Sequence, residues 1–201
     1  MKTVLLLATI IIFCSHHAHS QRAVRFNNKG IHKSELGNHR EAAEYFTQAI
    51  NIDPGFAEAY FNRGNSKSEL GDHPEAIADY NKAIEIDPGS TAYSNRGNAK
   101  SLLGDYSGAI ADYNKAIEID PRHAGAYYNR GNARSEAGYH REAIADYDRA
   151  IEIDPEFAEA YFNRGLAKIQ SGDKSGGSSD LHKSAGLGLL GAFRAVRGLS
   201  E

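Results

Sequence analysis

Tyr60-Phe61-Asn62-Arg63-Gly64 returns along the chain as Tyr93-Ser94-Asn95-Arg96-Gly97, as Tyr127-Tyr128-Asn129-Arg130-Gly131 and as Tyr161-Phe162-Asn163-Arg164-Gly165. A looser copy, Phe26-Asn27-Asn28-Lys29-Gly30, comes before them. The phrase glycines lie 34, 33, 34 and 34 residues apart. A fixed period in this range is the sequence sign of a helical solenoid, whose units bury their apolar faces by stacking on one another. Setting the phrase glycine at the eighth place of each unit gives starts at Ala23, Ala57, Ser90, Ala124 and Ala158.

Outward from the phrase, each unit holds two helical patterns. The first ends near Leu36, Leu70, Leu103, Ala137 and Ser171 and meets Gly37, Gly71, Gly104, Gly138 and Gly172, the residue type that most often stops a helix in the left-handed conformation. Asn38, Asp72, Asp105 and Asp173 then stand where an N-cap is wanted, while the fourth unit offers the poor cap Tyr139. Glu41 and Glu75 follow Asn38 and Asp72 at capping-box spacing, and Pro74 suits a first helical turn. The second helices are expected over 41–52, 75–86, 108–119 and 142–153, with apolar residues at helical spacing such as Ala76, Tyr80, Ala83 and Ile84. Each closes at Asp-Pro (Pro54, Pro88, Pro121, Pro155), because proline disfavours helical geometry in the residue before it. The one missing residue falls in 88–97, at a junction between units.

Glycine inside a helix costs ~1 kcal/mol against alanine, so its return at the eighth place needs a cause. Close approach of Gly30, Gly64, Gly97, Gly131 and Gly165 to Ala42, Ala76, Ala109, Ala143 and Gly177 supplies one. Glycine at the eighth place, alanine at the twentieth and twenty-seventh (Ala49, Ala83, Ala116, Ala150) and proline at the thirty-second resemble the tetratricopeptide repeat, over residues 23–185. The Asn-Arg-Gly phrase resembles that of bacterial members. The resemblance implies an all-α fold, a right-handed superhelical solenoid of antiparallel helix pairs with the first helices lining a concave groove. The units are then repeat 1 over 23–56, repeat 2 over 57–89, repeat 3 over 90–123, repeat 4 over 124–157 and a degenerate repeat 5 over 158–186. In the last, Ser175-Gly176-Gly177-Ser178-Ser179 weakens the second helix. Residues 187–201 form a capping helix and tail, with Leu189, Leu190, Phe193 and Val196 as the apolar face and Arg194 and Arg197 outside.

The N-terminus carries Lys2, an apolar run over 3–13 and Ala18-His19-Ser20. These are the parts of a secretory signal peptide over residues 1–20, leaving Gln21 and Arg22 as a short lead-in. The apolar run is too short for a ~30 Å hydrocarbon core. Phe13 before Cys14 argues against a lipid anchor there. The product is expected to be periplasmic or secreted. Cys14 is the single cysteine, so the processed chain holds no thiol. Net charge is −3, which points to neither nucleic acid nor an anionic membrane.

No motif points to catalysis. Gly186-x-Gly188-x-x-Gly191 spells a dinucleotide fingerprint, but that motif turns a strand into a helix and no strand pattern precedes it. His39, His73 and His140 share one place in their units, where Tyr106 stands in another, and helices ~10 Å apart cannot bring three such side chains onto one zinc ion. The expectation is a non-enzymatic protein with no cofactor and no metal.

Two rows remain. Arg63, Arg96, Arg130 and Arg164 sit at the seventh place, usually apolar in tetratricopeptide repeats. They either pair with Asp79, Asp112, Asp146 and Asp180 or contact a ligand. Asn28, Asn62, Asn95, Asn129 and Asn163 hold the sixth place, and Asn65, Asn98 and Asn132 the ninth. Asparagine is a mediocre helix former, so the rows are either a duplicated surface or an asparagine ladder. The resemblance places both rows in the groove, where some family members, among them the glycosyltransferase that attaches N-acetylglucosamine, hold extended peptides. Phe61, Tyr128 and Phe162 would add apolar contacts, while Glu58 and Glu159 would disfavour acidic peptides. No basic residue stands at the second, fifth or sixth groove places of repeats 2–5, against a carboxylate clamp and against nucleic acid. The partner expected is a protein or peptide, with no nucleic acid and no small-molecule substrate. The alternative is a structural subunit of an envelope or secreted complex that self-associates, as a homo-oligomer, through its ends or convex face.

Overall fold

The structure, a computed structural model, describes residues 20–198, and the expected signal peptide, Cys14 and the last three residues of the tail lie outside them. Eleven helices account for the described residues: α1 over 20–35, α2 His39–Ile52, α3 Ala57–Glu69, α4 His73–Ile86, α5 Ser90–Leu102, α6 Tyr106–Ile119, α7 Ala124–Glu136, α8 His140–Ile153, α9 Ala158–Gln170, α10 Lys174–Gly186 and α11 Leu190–Gly198. No strand occurs among them. The chain packs as two compact units divided at Pro88/Gly89, the junction where repeat 2 is one residue short.

Within a repeat the two helices pack on each other across a narrow seam. Gly37, Gly71, Gly104, Gly138 and Gly172 all have φ between 76° and 98°, the left-handed stop read from the sequence. The turn is closed by backbone bonds such as Asn38 N to Lys33 O (2.9 Å), which reach back over the last helical turn. Asn38, Asp72, Asp105, Tyr139 and Asp173 occupy the N-cap positions. Only Asp105 and Asp173 cap with their side chains, accepting from Gly108 N and Gly176 N. An added Cβ at 108 or 176 would collide with those carboxylates. The expected capping boxes at Asn38–Glu41 and Asp72–Glu75 do not form: neither Asn38 nor Asp72 makes a side-chain cap hydrogen bond. Glu41 instead pairs with Lys33 at 3.0 Å.

The core is small residues, aliphatics such as Ile50, Ile84, Ile151 and Leu181, and one ring in each of the first four repeats. Ala42, Ala76, Ala109 and Ala143 are fully buried, as are Ala49, Ala116 and Ala150, and Phe46, Tyr80, Tyr113 and Tyr147 are 1–2 % exposed. In the first four repeats the nearest neighbour of the phrase glycine is a ring. An added Cβ at Gly30, Gly64, Gly97 or Gly131 would come within 2.5–2.8 Å of the ring of Phe46, Tyr80, Tyr113 or Tyr147. Glycine is there to seat the ring. In repeat 5 Leu181 replaces the ring, and there the expected backbone approach is the nearest contact: a Cβ at Gly165 would lie 2.9 Å from Gly177 O. At the C-terminus Leu187 caps α10, Gly188 turns with φ 95°, and α11 starts at Leu190 rather than at 187. Ala192 is fully buried, whereas Leu190 and Phe193, expected to face inward, are 79 % and 51 % exposed.

Candidate functional site

The arginine row is spoken for inside the fold. Arg63 donates from Nε and Nη2 to Asp79 at 2.9 and 2.6 Å, and Arg96–Asp112, Arg130–Asp146 and Arg164–Asp180 repeat the fork. Each carboxylate is almost wholly buried and takes a second cation from the eleventh place: Lys67, Lys100, Arg134 and Lys168, at 2.7–2.8 Å. Each guanidinium also lies 5.2–5.6 Å from the centre of the fourth-place tyrosine ring of its own repeat. Burial alone would raise the Asp180 pKa, but hydrogen bonds from Arg164 and Lys168 outweigh it and hold the carboxyl below its usual range. Repeat 1 lacks the pair: Lys29 Nζ sits 5.7 Å from the Tyr45 ring instead. The pairing reading thus holds against the ligand-contact reading. The eleventh-place cations were missed, although they recur at the same period as everything else.

The asparagine rows form a relay. Asn98 Oδ1 accepts from Tyr113 Oη at 2.7 Å, within its own repeat, and from Asn129 Nδ2 of the next repeat at 2.9 Å. One repeat on, Asn132 Oδ1 accepts from Tyr147 Oη at 2.9 Å and from Asn163 Nδ2 at 2.8 Å. In the N-terminal unit Tyr80 Oη donates to Asn65 Oδ1 at 2.8 Å. There Asn62 Nδ2 donates to Asn27 Oδ1 at 3.2 Å, and Asn27, only 1 % exposed, donates on to Glu58 at 3.1 Å. Asn28 is exposed and Asn95 half-buried on α5. In the C-terminal unit the two rows are therefore one system, in which Asn129 and Asn163 of the sixth place donate and Asn98 and Asn132 of the ninth accept, whereas Asn62 donates to the fifth-place Asn27. Burial, joined for Tyr80 by Glu69 and for Tyr147 by Tyr128, Asp146 and Glu136, pushes these tyrosine hydroxyls above their usual pKa. They remain protonated donors at any physiological pH.

The relay leaves outward halves open. Among the described residues no hydrogen bond engages Asn129 Oδ1, Asn163 Oδ1 or the amide N–H groups of Asn98 and Asn132. In the C-terminal unit a cleft of about 370 Å³ brings Asn132 and Asn163 together with Ser135, Glu136, Tyr147 and Leu166. The aromatic residues are less available. Phe61 packs on Tyr80 with ring centres 6.0 Å apart, and Tyr128 packs on Tyr147 and Phe157 while accepting from Asn163 at 3.1 Å. Phe162 is half-buried. Tyr128 serves the relay as much as any ligand.

His39 and His140 each meet a serine, Ser34 and Ser135, at 3.4 and 3.5 Å, and no group of three or more metal-binding side chains occurs among the described residues. Gly186 ends α10, Gly188 turns and Gly191 lies in α11. Models of the tetratricopeptide repeat match residues 26–56 and 57–90, and a model described as TPR repeat matches 97–138 and 131–172. The chain belongs to the tetratricopeptide repeat family. Among solved structures this tetratricopeptide protein is similar to MamA at 26 % identity and TM-score 0.73, over 79 % of this chain and 93 % of that one. It shares its fold with YrrB, described as a TPR protein with an unusual peptide-binding site, at 20 % identity and TM-score 0.72, over 87 % and 92 % of the two chains. It shares it also with PilW, a type IV pilus biogenesis factor, at 20 % identity and TM-score 0.76, over 83 % and 78 %. No curated protein matches the chain.

Proposed function

We propose that this tetratricopeptide protein is an exported, non-enzymatic scaffold that holds an extended peptide or protein segment on its asparagine rows. The observation that carries the reading is the half-used relay. One side of each amide in Asn98, Asn129, Asn132 and Asn163 is fixed by the fold, and no hydrogen bond among the described residues engages the other. An amide so held is pre-organised and loses little freedom when it binds. Its open donors and acceptors match the C=O and N–H of a peptide unit, whatever the side chain. Extended chain advances ~3.3 Å per residue and neighbouring helices lie ~10 Å apart, so each repeat would grip about every third residue.

The discriminating variant is Asn98→Asp with Asn132→Asp. Aspartate keeps the oxygens that accept from Tyr113, Asn129, Tyr147 and Asn163 but loses the outward N–H groups. Cross-linking in the protein's own cells identifies the partner, and its bound segment is then titrated by calorimetry. Affinity should fall roughly five- to a hundredfold, with the melting temperature kept within a few degrees. Equal affinity would show that the rows serve only the fold. Export is tested separately: intact mass of the exported protein should start at Gln21, and a diacylated species starting at Cys14 would contradict that.

One observation supports a second reading, docking or self-association through an end. Leu190 and Phe193 are exposed on α11, the last described helix. Sedimentation should then show assembly that Leu190→Ser with Phe193→Ser abolishes and the asparagine variant leaves intact.

A further inference from the structure

We infer that the cleft beside Asn132 and Asn163 is a side-chain pocket for a basic residue of the bound segment, and that it sets which peptides the scaffold selects. The inference rests on the groove reading and adds a specificity to it. Glu136 is the carboxylate of this cleft, it is exposed, and no salt bridge or hydrogen bond among the described residues engages it. Arg134, two residues before it on α7, and Lys168, between the lining residues Leu166 and Gln170 on α9, are committed elsewhere, to Asp146 and to Asp180. Among the described residues no ion pair neutralises its charge. Glu136 lines the same cleft as the relay residues Asn132, Tyr147 and Asn163. Leu166, 37 % exposed, gives the cleft an aliphatic wall for a methylene stem, and Asn163 Oδ1 and the Gln170 side chain offer acceptors for an ammonium or guanidinium head. A volume of about 370 Å³ admits such a side chain with its water.

The preceding repeat provides a contrast within the same unit. Helices α5 and α7 have equal length and end at equivalent places, Leu102 and Glu136. Leu102 is 66 % exposed, so that junction presents an aliphatic surface where the next presents a carboxylate. At ~10 Å between repeats and ~3.3 Å per peptide residue, the preferred segment carries a lysine or arginine about three residues from an apolar residue.

A displayed library of random twelve-residue peptides, selected against the full chain, tests this directly. The wild-type protein should enrich peptides with Lys or Arg about three residues from an apolar residue. The Glu136→Gln protein should still enrich peptides but without the basic preference, and Glu136→Lys should favour Asp or Glu at that place. For one selected peptide, Glu136→Gln should weaken binding about three- to tenfold and change nothing for its Lys→Gln counterpart. Leu102→Ser should erase the apolar preference alone. Peptides enriched without a basic residue, or the same set from Glu136→Gln, overturn the cation pocket and leave the groove standing. Failure to enrich any peptide overturns both.

Discussion

Between α7 and α8 the ring of Tyr147 lies against Gly131, and a Cβ there would come within 2.7 Å of it. Between α9 and α10 Leu181 stands in the ring's place. The two backbones close the gap, and a Cβ at Gly177 would meet Ile169 Cγ1 at 2.5 Å and Gly165 O at 2.6 Å. Both repeats nevertheless keep the Arg–Asp fork and its second cation, Arg130–Asp146–Arg134 and Arg164–Asp180–Lys168. The two solutions show that a seam holds a ring or a close backbone crossing, and that glycine is required for either. Gly177, which reads as decay of the repeat, is the residue that lets the second kind of seam close.

The largest effects should come from what the two repeats share. Asp146→Ala and Asp180→Ala each leave two cations around a buried, emptied site, and each should cost about 3 kcal/mol in urea unfolding. A loss in only one of them would break the equivalence. The seams come next. Gly131→Ala and Gly177→Ala should each cost about 1–3 kcal/mol by overpacking, despite alanine's better helix propensity. Gly131→Ala combined with Tyr147→Leu should regain part of the loss, because leucine removes the atoms that the new methyl meets. The same leucine without the glycine change leaves a cavity. Gly177→Ala raising stability would return α10 to the reading of a degraded helix.

Smaller again is the relay. Asn129→Ala removes the donor to Asn98, and Asn163→Ala the donors to Asn132 and Tyr128, so each should cost roughly 0.5–1.5 kcal/mol. The sixth-place asparagines are thus not free of structural duty, contrary to what a solvated ladder implies. The smallest effect is acid sensitivity in repeat 5. The pKa of Asp180 is lowered on folding, so its contribution is complete above the unfolded value of ~4 and is lost as pH falls through the folded value. The stability gap between wild type and Asp180→Asn should therefore be constant from pH 7 to 5 and narrow below about pH 4. A gap that widens in acid would reverse the sign of the shift.

Repetition made most of the fold legible. A residue type that returns at one place declares a role even when its chemistry is ambiguous, and the Arg63–Asp79 fork was readable from two such rows. The caps were readable as positions but not as bonds. Asp72 and Asp105 hold the same place, yet only Asp105 caps with its side chain, a difference that the residue type alone does not carry. The ring's part in the glycine seam was not legible: period aligns Gly64 with Ala76 but does not show that the Tyr80 ring lies nearest to the glycine. The site was legible as a list and not as a circuit. Asn98, Tyr113 and Asn129 are joined across two repeats, and only the packing of α5, α6 and α7 brings their polar atoms within bonding distance.

The outward amide groups of Asn98 and Asn132 decide the matter, and their side-chain resonances can be watched in ¹⁵N-labelled protein while a selected peptide is added. If the asparagine rows grip the peptide backbone, the Nδ2 signals of both residues shift in a saturable way, with the same midpoint as the binding isotherm. Peptide that binds to saturation while both signals stay where they were would contradict it.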